Sequence, residues 1–163
     1  MSNLQQLFNT LPQIGQLDWI GIRPAKKAIL NEVTQISVSI ENGLEGDHYT
    51  GKSRKRQVTL IQAEHLAAVA AFLKTEMIHP QLIRRNLVVS GINLLALKNR
   101  QFQIGAEVIL QMTGLCHPCS RMEENLGAGG YNAMRGHGGI TAKVIRGGRI
   151  RLGDDVRLLL DSF

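Results

Sequence analysis

A chain of 163 residues with 44% hydrophobic residues is the length of one domain and can bury a core without disulfide or metal staples. Its mean hydropathy is −0.05, and no apolar run approaches the roughly 18 residues needed to span a bilayer, so a membrane protein is not expected. The net charge of +6 and pI of about 9.7 favour an anionic partner. With only 4% aromatic residues and no glycine-aromatic stacking motif, that partner is not expected to be nucleic acid.

The first residues, MSNLQQLFNTLPQ, lack the basic start, long apolar centre and cleavage site of a secretory signal, which points to the cytoplasm. Leu4, Leu7, Phe8 and Leu11 follow helical spacing up to Pro12, so residues 1–13 read as a helical extension suited to covering a barrel end or edge. GQLDWIGIRP is predicted as a strand closed by Pro24, and QISVSI as a strand turning Ile36, Val38 and Ile40 to one face. ENGLEGDHYTGKSRKR is polar, with Gly43, Gly46 and Gly51, and reads as a loop whose basic run from Lys52 to Arg56 is solvated.

Gln57 to Ile61 is a short β-like run. QAEHLAAVAAFLK then places Leu66, Val69, Ala70 and Leu73 on one helical stripe, the strongest helix signal in the chain. His79 and Pro80 end it. NLVVSG is predicted as a strand, INLLALKNR as a connection, and EVILQMTG as a strand that delivers the chain to the cysteines. TAKVIRGGRIRLGDDVRLLL reads as two strands joined in a tight hairpin at Gly147-Gly148, with a last strand after Gly153-Asp154. Short strands, glycine turns and few helices imply a mainly β fold: a closed or partly open β-barrel with attached helices, in one domain spanning 1–163.

The chemistry concentrates between Gly114 and Gly139, which hold both cysteines and two of the five histidines. Cys116-His117-Pro118-Cys119 admits a redox dithiol, but that pair belongs at a helix start early in a βαβ unit, and here it lies late in a β-rich chain. A structural zinc site could count Cys116, Cys119, His117 and His137, yet neighbouring His117 does not easily close one tetrahedron with both cysteines. Two thiols packed as small hydrophobes are a third reading. The fourth is one reactive thiolate. Pro118 suits a first helical turn and SRMEENL continues as a short helix, so Cys119 falls at the helix start, where the positive helix end and Arg121 favour its thiolate. Cys116 is then a neighbouring or resolving thiol.

WIGIRP at Trp19 to Pro24, GLEGD at Gly43 to Asp47, RQVTLIQAEHL at Arg56 to Leu66 and RRNLVVSGINL at Arg84 to Leu94 carry a resemblance that continues through TGLCHPC and YNAMRGHGGITAKVIRGGRIRLGD. In that order they resemble the MOSC domain, named for the carboxy-terminal domain of molybdenum-cofactor sulfurase. The resemblance implies a β-barrel fold and a site that handles molybdopterin with its molybdenum, or the sulfur of that cofactor. The family's hallmark cysteine falls on Cys119, where it would ligate molybdenum or carry sulfur. Many family members have glutamate before the Asn-Leu pair; here Arg85 stands there, so no role of that carboxylate carries over.

Among the supporting residues, Arg135 and His137 are flanked by Gly136 and Gly138, and offer a planar phosphate donor and an imidazole able to give a proton. Asp47, Arg84, Arg85, Asn86 and Arg121 are further candidates for holding the cofactor. Backbone N–H groups of the glycine loops are candidates for an anionic group, as in a nest. Arg23 and Arg56 belong to the same motifs and are expected in ion pairs, and His65 as a partly buried helix histidine. The resemblance implies a reductase of N-hydroxylated small molecules, with Cys119 on the metal and His137 as proton donor. The chain has no flavin, nicotinamide or iron-sulfur fingerprint, so electrons would come from a separate electron-transfer protein. The alternative is a non-catalytic carrier of the cofactor, or of sulfur as a Cys119 persulfide.

Overall fold

In the computed structural model, which describes residues 2–49 and 53–160, eleven strands and four α-helices follow one another in an order dominated by short β segments. The loop residues Gly51 and Lys52, expected to be conformationally free and solvated, lie outside the described residues. The strands are β1 (Gly15–Ile22), β2 (Asn31–Val33), β3 (Gln35–Ser39), β4 (Gly43–Leu44), β5 (Val58–Gln62), β6 (Leu87–Ser90), β7 (Gln101–Ile104), β8 (Val108–Leu115), β9 (Ile140–Arg146), β10 (Gly148–Arg151) and β11 (Asp155–Leu158). The helices are α1 (Asn3–Asn9), α2 (Ala63–Leu73), α3 (Ser120–Leu126) and α4 (Gly130–Met134).

Seven strands close into a barrel in the order β1-β6-β5-β9-β8-β7-β11, with β11 pairing back onto β1. Closure leaves β1 two neighbours at its start, β11 and β6. A bulge between Leu17 and Trp19 then turns it so that its far end pairs with the extra strand β2. The barrel pairings are antiparallel except β5–β6, whose parallel register needs a crossover, and α2 supplies it. The second sheet has the order β10-β3-β4.

Alternation places one face of each barrel strand inside. Leu17, Ile20, Leu60, Leu87, Val89, Phe102, Ile104, Val108, Leu110, Ile140 and Val156 are all buried in that interior cluster. A second cluster lies on the outer side, where α2, α3 and α4 cover residues such as Trp19, Ile61, Ile83 and Val88 with Leu66, Val69, Met122 and Met134. Each such side chain contributes about 1.5–3 kcal/mol when buried. Strand β5 is buried at every position because both clusters claim it.

The helical stripe of α2 matches expectation, with Leu66, Val69 and Ala70 buried. Helix α1 also forms, held by a Ser2–Gln5 capping box, but it covers little. Leu4, Leu7 and Phe8 stay exposed, and Leu11 beyond the helix is the residue that packs on the barrel. The expected hairpin at Gly147-Gly148 does not occur. β9 stays in the barrel between β5 and β8, whereas β10 leaves it to pair with β3. Glycines are needed there for close approach: a Cβ on Gly147 would lie 2.5 Å from the Val38 carbonyl oxygen. Two glycines between strands look alike in sequence whether they turn the chain back or let it pass another strand.

Candidate functional site

Strand β8 runs to Leu115 and delivers the cysteine loop, and α3 begins just after it. Cys119 is the N-cap of α3, with extended backbone (φ −124°, ψ 177°), because the helix starts at Ser120, two residues later than a start at Pro118. Its carbonyl accepts from Met122 N at 2.9 Å, while its side chain makes no capping bond and is exposed. Cys116 is the opposite case, 3% exposed, with Arg56 Nη2 donating toward its Sγ at 3.8 Å. Both cysteines are free thiols. One thiol is thus available to solvent and the other is packed.

Arginines converge on this loop from separate parts of the chain. Arg84 is the C-cap of the 3-10 turn Pro80–Ile83 and adopts left-handed backbone (φ 57°, ψ 36°), which costs about 1–2 kcal/mol for a side chain with a Cβ. That conformation puts Arg84 and Arg85 in different surroundings. Arg84 donates through Nη1 to the Ala28 carbonyl at 3.0 Å. Burial and the neighbouring cations Arg121 and Arg23 hold its basicity below the usual, while Cys119 acts in the other direction. Arg85 is buried, and burial lowers its basicity most; Cys116 and Cys119 oppose that, and Arg56 and Arg23 add to it. Five arginines (23, 56, 84, 85 and 121) thus share one electrostatic neighbourhood with the two thiols. Helix α3 has only seven residues, and Arg84 and Arg85 both interact electrostatically with Cys119 at its start.

Asp47 and Asn86 are interior wiring for this cluster. The Asp47 side chain is fully buried; its Oδ1 accepts from Arg23 N at 2.7 Å and from Asn86 Nδ2 at 3.2 Å, and its Oδ2 lies 3.4 Å from Arg23 Nη2. Asn86 also donates to the Gly21 carbonyl at 3.1 Å and accepts from both N and Oγ1 of Thr59 at 3.1 Å. The buried polar atoms of Asp47 and Asn86 are therefore bonded inside the chain, and Asp47 ties Asn86 to Arg23. Arg23 is partly exposed and its Nε is buried without a partner.

The glycine-rich loop divides in two. Gly138 lies against the cysteine loop, because a Cβ there would sit 2.1 Å from the Cys116 carbonyl oxygen. Gly139, at φ +87°, would meet the Leu60 carbonyl at 2.0 Å, and its own carbonyl accepts from Cys116 N at 2.8 Å. In contrast, Gly136 is open, and Arg135 is exposed with Nη1 3.3 Å from Asn132 Oδ1 on α4. The His137 ring packs on α2, 5.0 Å from the His65 ring and 5.7 Å from Phe72, with Nδ1 buried and unpartnered. Burial, then the nearby His137, lowers the His65 pKa below its ordinary 6.5, with Glu64 opposing. The turn at Gly129 is closed within the chain: Glu123 accepts from Gly129 N at 3.0 Å and Tyr131 N at 3.2 Å, and these bonds hold its carboxyl below the usual range. Glu123 and Thr59 were not legible as site-building residues, since a carboxylate capping a glycine turn six residues later leaves no spacing signature. A groove of about 840 Å³ over the second sheet reaches Asp47, Tyr49 and Arg54 but is not lined by either cysteine.

The pattern of one known family, the MOSC domain, matches residues 45–157. That span holds β5 to β10, all but the last residue of β11, both cysteines and the arginines other than Arg23.

The chain belongs to the MOSC domain family.

Solved structures with the same fold include the YUAD protein from Bacillus subtilis, at TM-score 0.76 and 18% identity, covering 89% of this chain and 95% of that one. YiiM from Escherichia coli follows at TM-score 0.68 and 17% identity, covering 90% and 71%. YiiM from Geobacillus stearothermophilus has TM-score 0.71 and 14% identity, covering 90% and 75%. No curated protein matches. MOSC domains are associated with the molybdenum cofactor, and the residues present fit that group. Among the described residues no three His, Cys, Asp or Glu gather to hold a metal ion by themselves. A metal at Cys119 must bring most of its ligands with it, as one held by a pterin dithiolene does, and a soft thiolate completes such a set. Among the described residues no helix is long and apolar enough to cross a membrane.

Proposed function

We propose that this MOSC domain holds molybdopterin with its molybdenum through Cys119 and reduces N-hydroxylated small molecules there, taking electrons from a separate protein. The observation that supports this most is the exposed Cys119 thiol set among arginines while the second thiol, Cys116, is packed away. When bound, the cofactor supplies the two-electron chemistry. The chain's own residues do the rest. Arg84 and Arg121, with Arg23 braced by Asp47, would hold the cofactor's anionic groups, and Cys119 would serve as a thiolate ligand to the metal. Arg135 is exposed and available to a phosphate at the loop's outer edge. His137, whose ring packs on His65 and Phe72 of α2 with Nδ1 unpartnered, would supply the proton for the substrate.

The test is turnover of an N-hydroxylated amidine with an artificial reductant, using protein purified from cells that make the cofactor. Reduction that disappears in Cys119→Ala and survives in Cys116→Ala is expected. Sulfane sulfur on Cys119 without turnover would instead establish the carrier role. Turnover unaffected by Cys119→Ala would overturn the assignment of this thiol.

A further inference from the structure

A buried cation ordinarily sits beside a carboxylate, because desolvating its charge is otherwise costly. Arg85 is 5% exposed, yet among the described residues the ion pairs are Arg23–Asp47 and Arg157–Asp155. Its guanidinium is spread over main-chain carbonyls instead. Nε donates to Gly138 at 2.7 Å, Nη1 to Ile83 at 3.0 Å, and Nη2 to Cys116 at 3.3 Å and His117 at 3.4 Å. Those carbonyls belong to three segments: the 3-10 turn before β6, the cysteine loop after β8 and the glycine loop before β9. The last two also touch directly, through the Cys116 N to Gly139 carbonyl bond and the contact that excludes a Cβ from Gly138.

We propose that Arg85 is the positioning residue of the site: its planar fork locks the Cys116–His117 carbonyls to the glycine loop and so fixes where Cys119, two residues further on, presents its thiol. The inference rests on Cys119 being the working thiol. A lysine keeps the charge but cannot serve carbonyls in three directions within one plane, so the fork, and not the charge, holds the loop. This also accounts for the left-handed backbone at Arg84. Two successive arginines must diverge, one into the loop junction and one toward Ala28 and the surface.

The test uses metal-free protein and a neutral maleimide at one pH, with the labelling of Cys116 relative to Cys119 read by mass spectrometry. Wild type, Arg85→Lys and Arg85→Met are compared with Val88→Ala, which trims a core residue on β6 and removes no hydrogen bond to either loop. Arg85→Lys is expected to raise the Cys116-to-Cys119 ratio by about ten- to hundredfold, the change in local opening from losing a charge-assisted hydrogen bond. Val88→Ala should leave the ratio unchanged at a temperature well below its unfolding midpoint. A wild-type ratio in Arg85→Lys overturns the proposal, as does an equal rise in Val88→Ala. Should Arg85→Met fail to fold, Arg85→Lys alone decides. Because no metal is involved, a shifted ratio stands even if Cys119 proves not to bind molybdenum, and the two ideas fail separately.

Discussion

Replacing Asn86 by alanine is the sharpest probe of how the site is built. Asn86 is 0% exposed and its amide joins β6 to β5 and β1 and to the loop bearing Asp47. Truncation leaves the Thr59 N–H and the Gly21 carbonyl without that partner, and Asp47 with Arg23 alone. A buried polar group left unsatisfied costs about 1–3 kcal/mol, so two of them, with the small cavity, predict a loss of about 3–5 kcal/mol. That is a large share of the roughly 5–15 kcal/mol that stabilises a domain. Trp19, the one tryptophan, is 8% exposed on β1 beside β6 and reports unfolding directly by fluorescence in a urea titration. Asn86→Asp should cost more at neutral pH, because it replaces the donor with a charge facing the Asp47 carboxylate. A loss below about 1 kcal/mol for Asn86→Ala would refute the hub and return Asn86 to the role of a direct ligand contact.

Gly139→Ala combines left-handed backbone with a Cβ overlapping the Leu60 carbonyl and should cost about 2–5 kcal/mol in denaturant melts, whereas Gly136→Ala, with open space at φ +80°, should cost about 1–2 kcal/mol. Glu123→Gln should accelerate hydrogen exchange at the Gly129 and Tyr131 amides without altering the barrel amides. Since the folded carboxyl titrates below its ordinary value, the contribution of Glu123 is present at neutral pH and is lost as pH falls through that folded value. His65 is likewise depressed, by burial and by His137, with Glu64 opposing. Its neutral form is favoured on folding, so stability should decline as pH drops from about 6.5 through the folded value, and His65→Gln should flatten that part of the pH–stability curve.

Periodicity carried the regular elements. The α2 stripe and the β1, β3 and β8 strands follow from patterns of two or 3.6 residues, which survive because each element buries one face, while β5 and β6 read as short apolar runs. Strands β2 and β4 are too short to show a period, β7 alternates over only four residues, and α4 is hidden among glycines. The pairing of β10 with β3 was illegible at Gly147-Gly148, because sheet partners 112 residues apart leave no local trace. At the site, the distinction between Cys116 and Cys119 was readable from the strand-to-helix passage around them. What each arginine touches was not. Arg84 and Arg85 are adjacent and chemically identical, and only a left-handed residue separates an outward cation from one clamped on four carbonyls. Asp47 and Asn86 stand in motifs that invite a ligand role, yet their partners come from β1 and β5, out of reach of any local pattern.

The most direct test of the proposed function is the molybdenum and pterin content of protein purified from cofactor-making cells, compared among wild type, Cys119→Ser and Cys116→Ser. One molybdenum per chain in wild type and Cys116→Ser, lost together with the pterin in Cys119→Ser, is the expected result. Equal molybdenum in Cys119→Ser and wild type would contradict it.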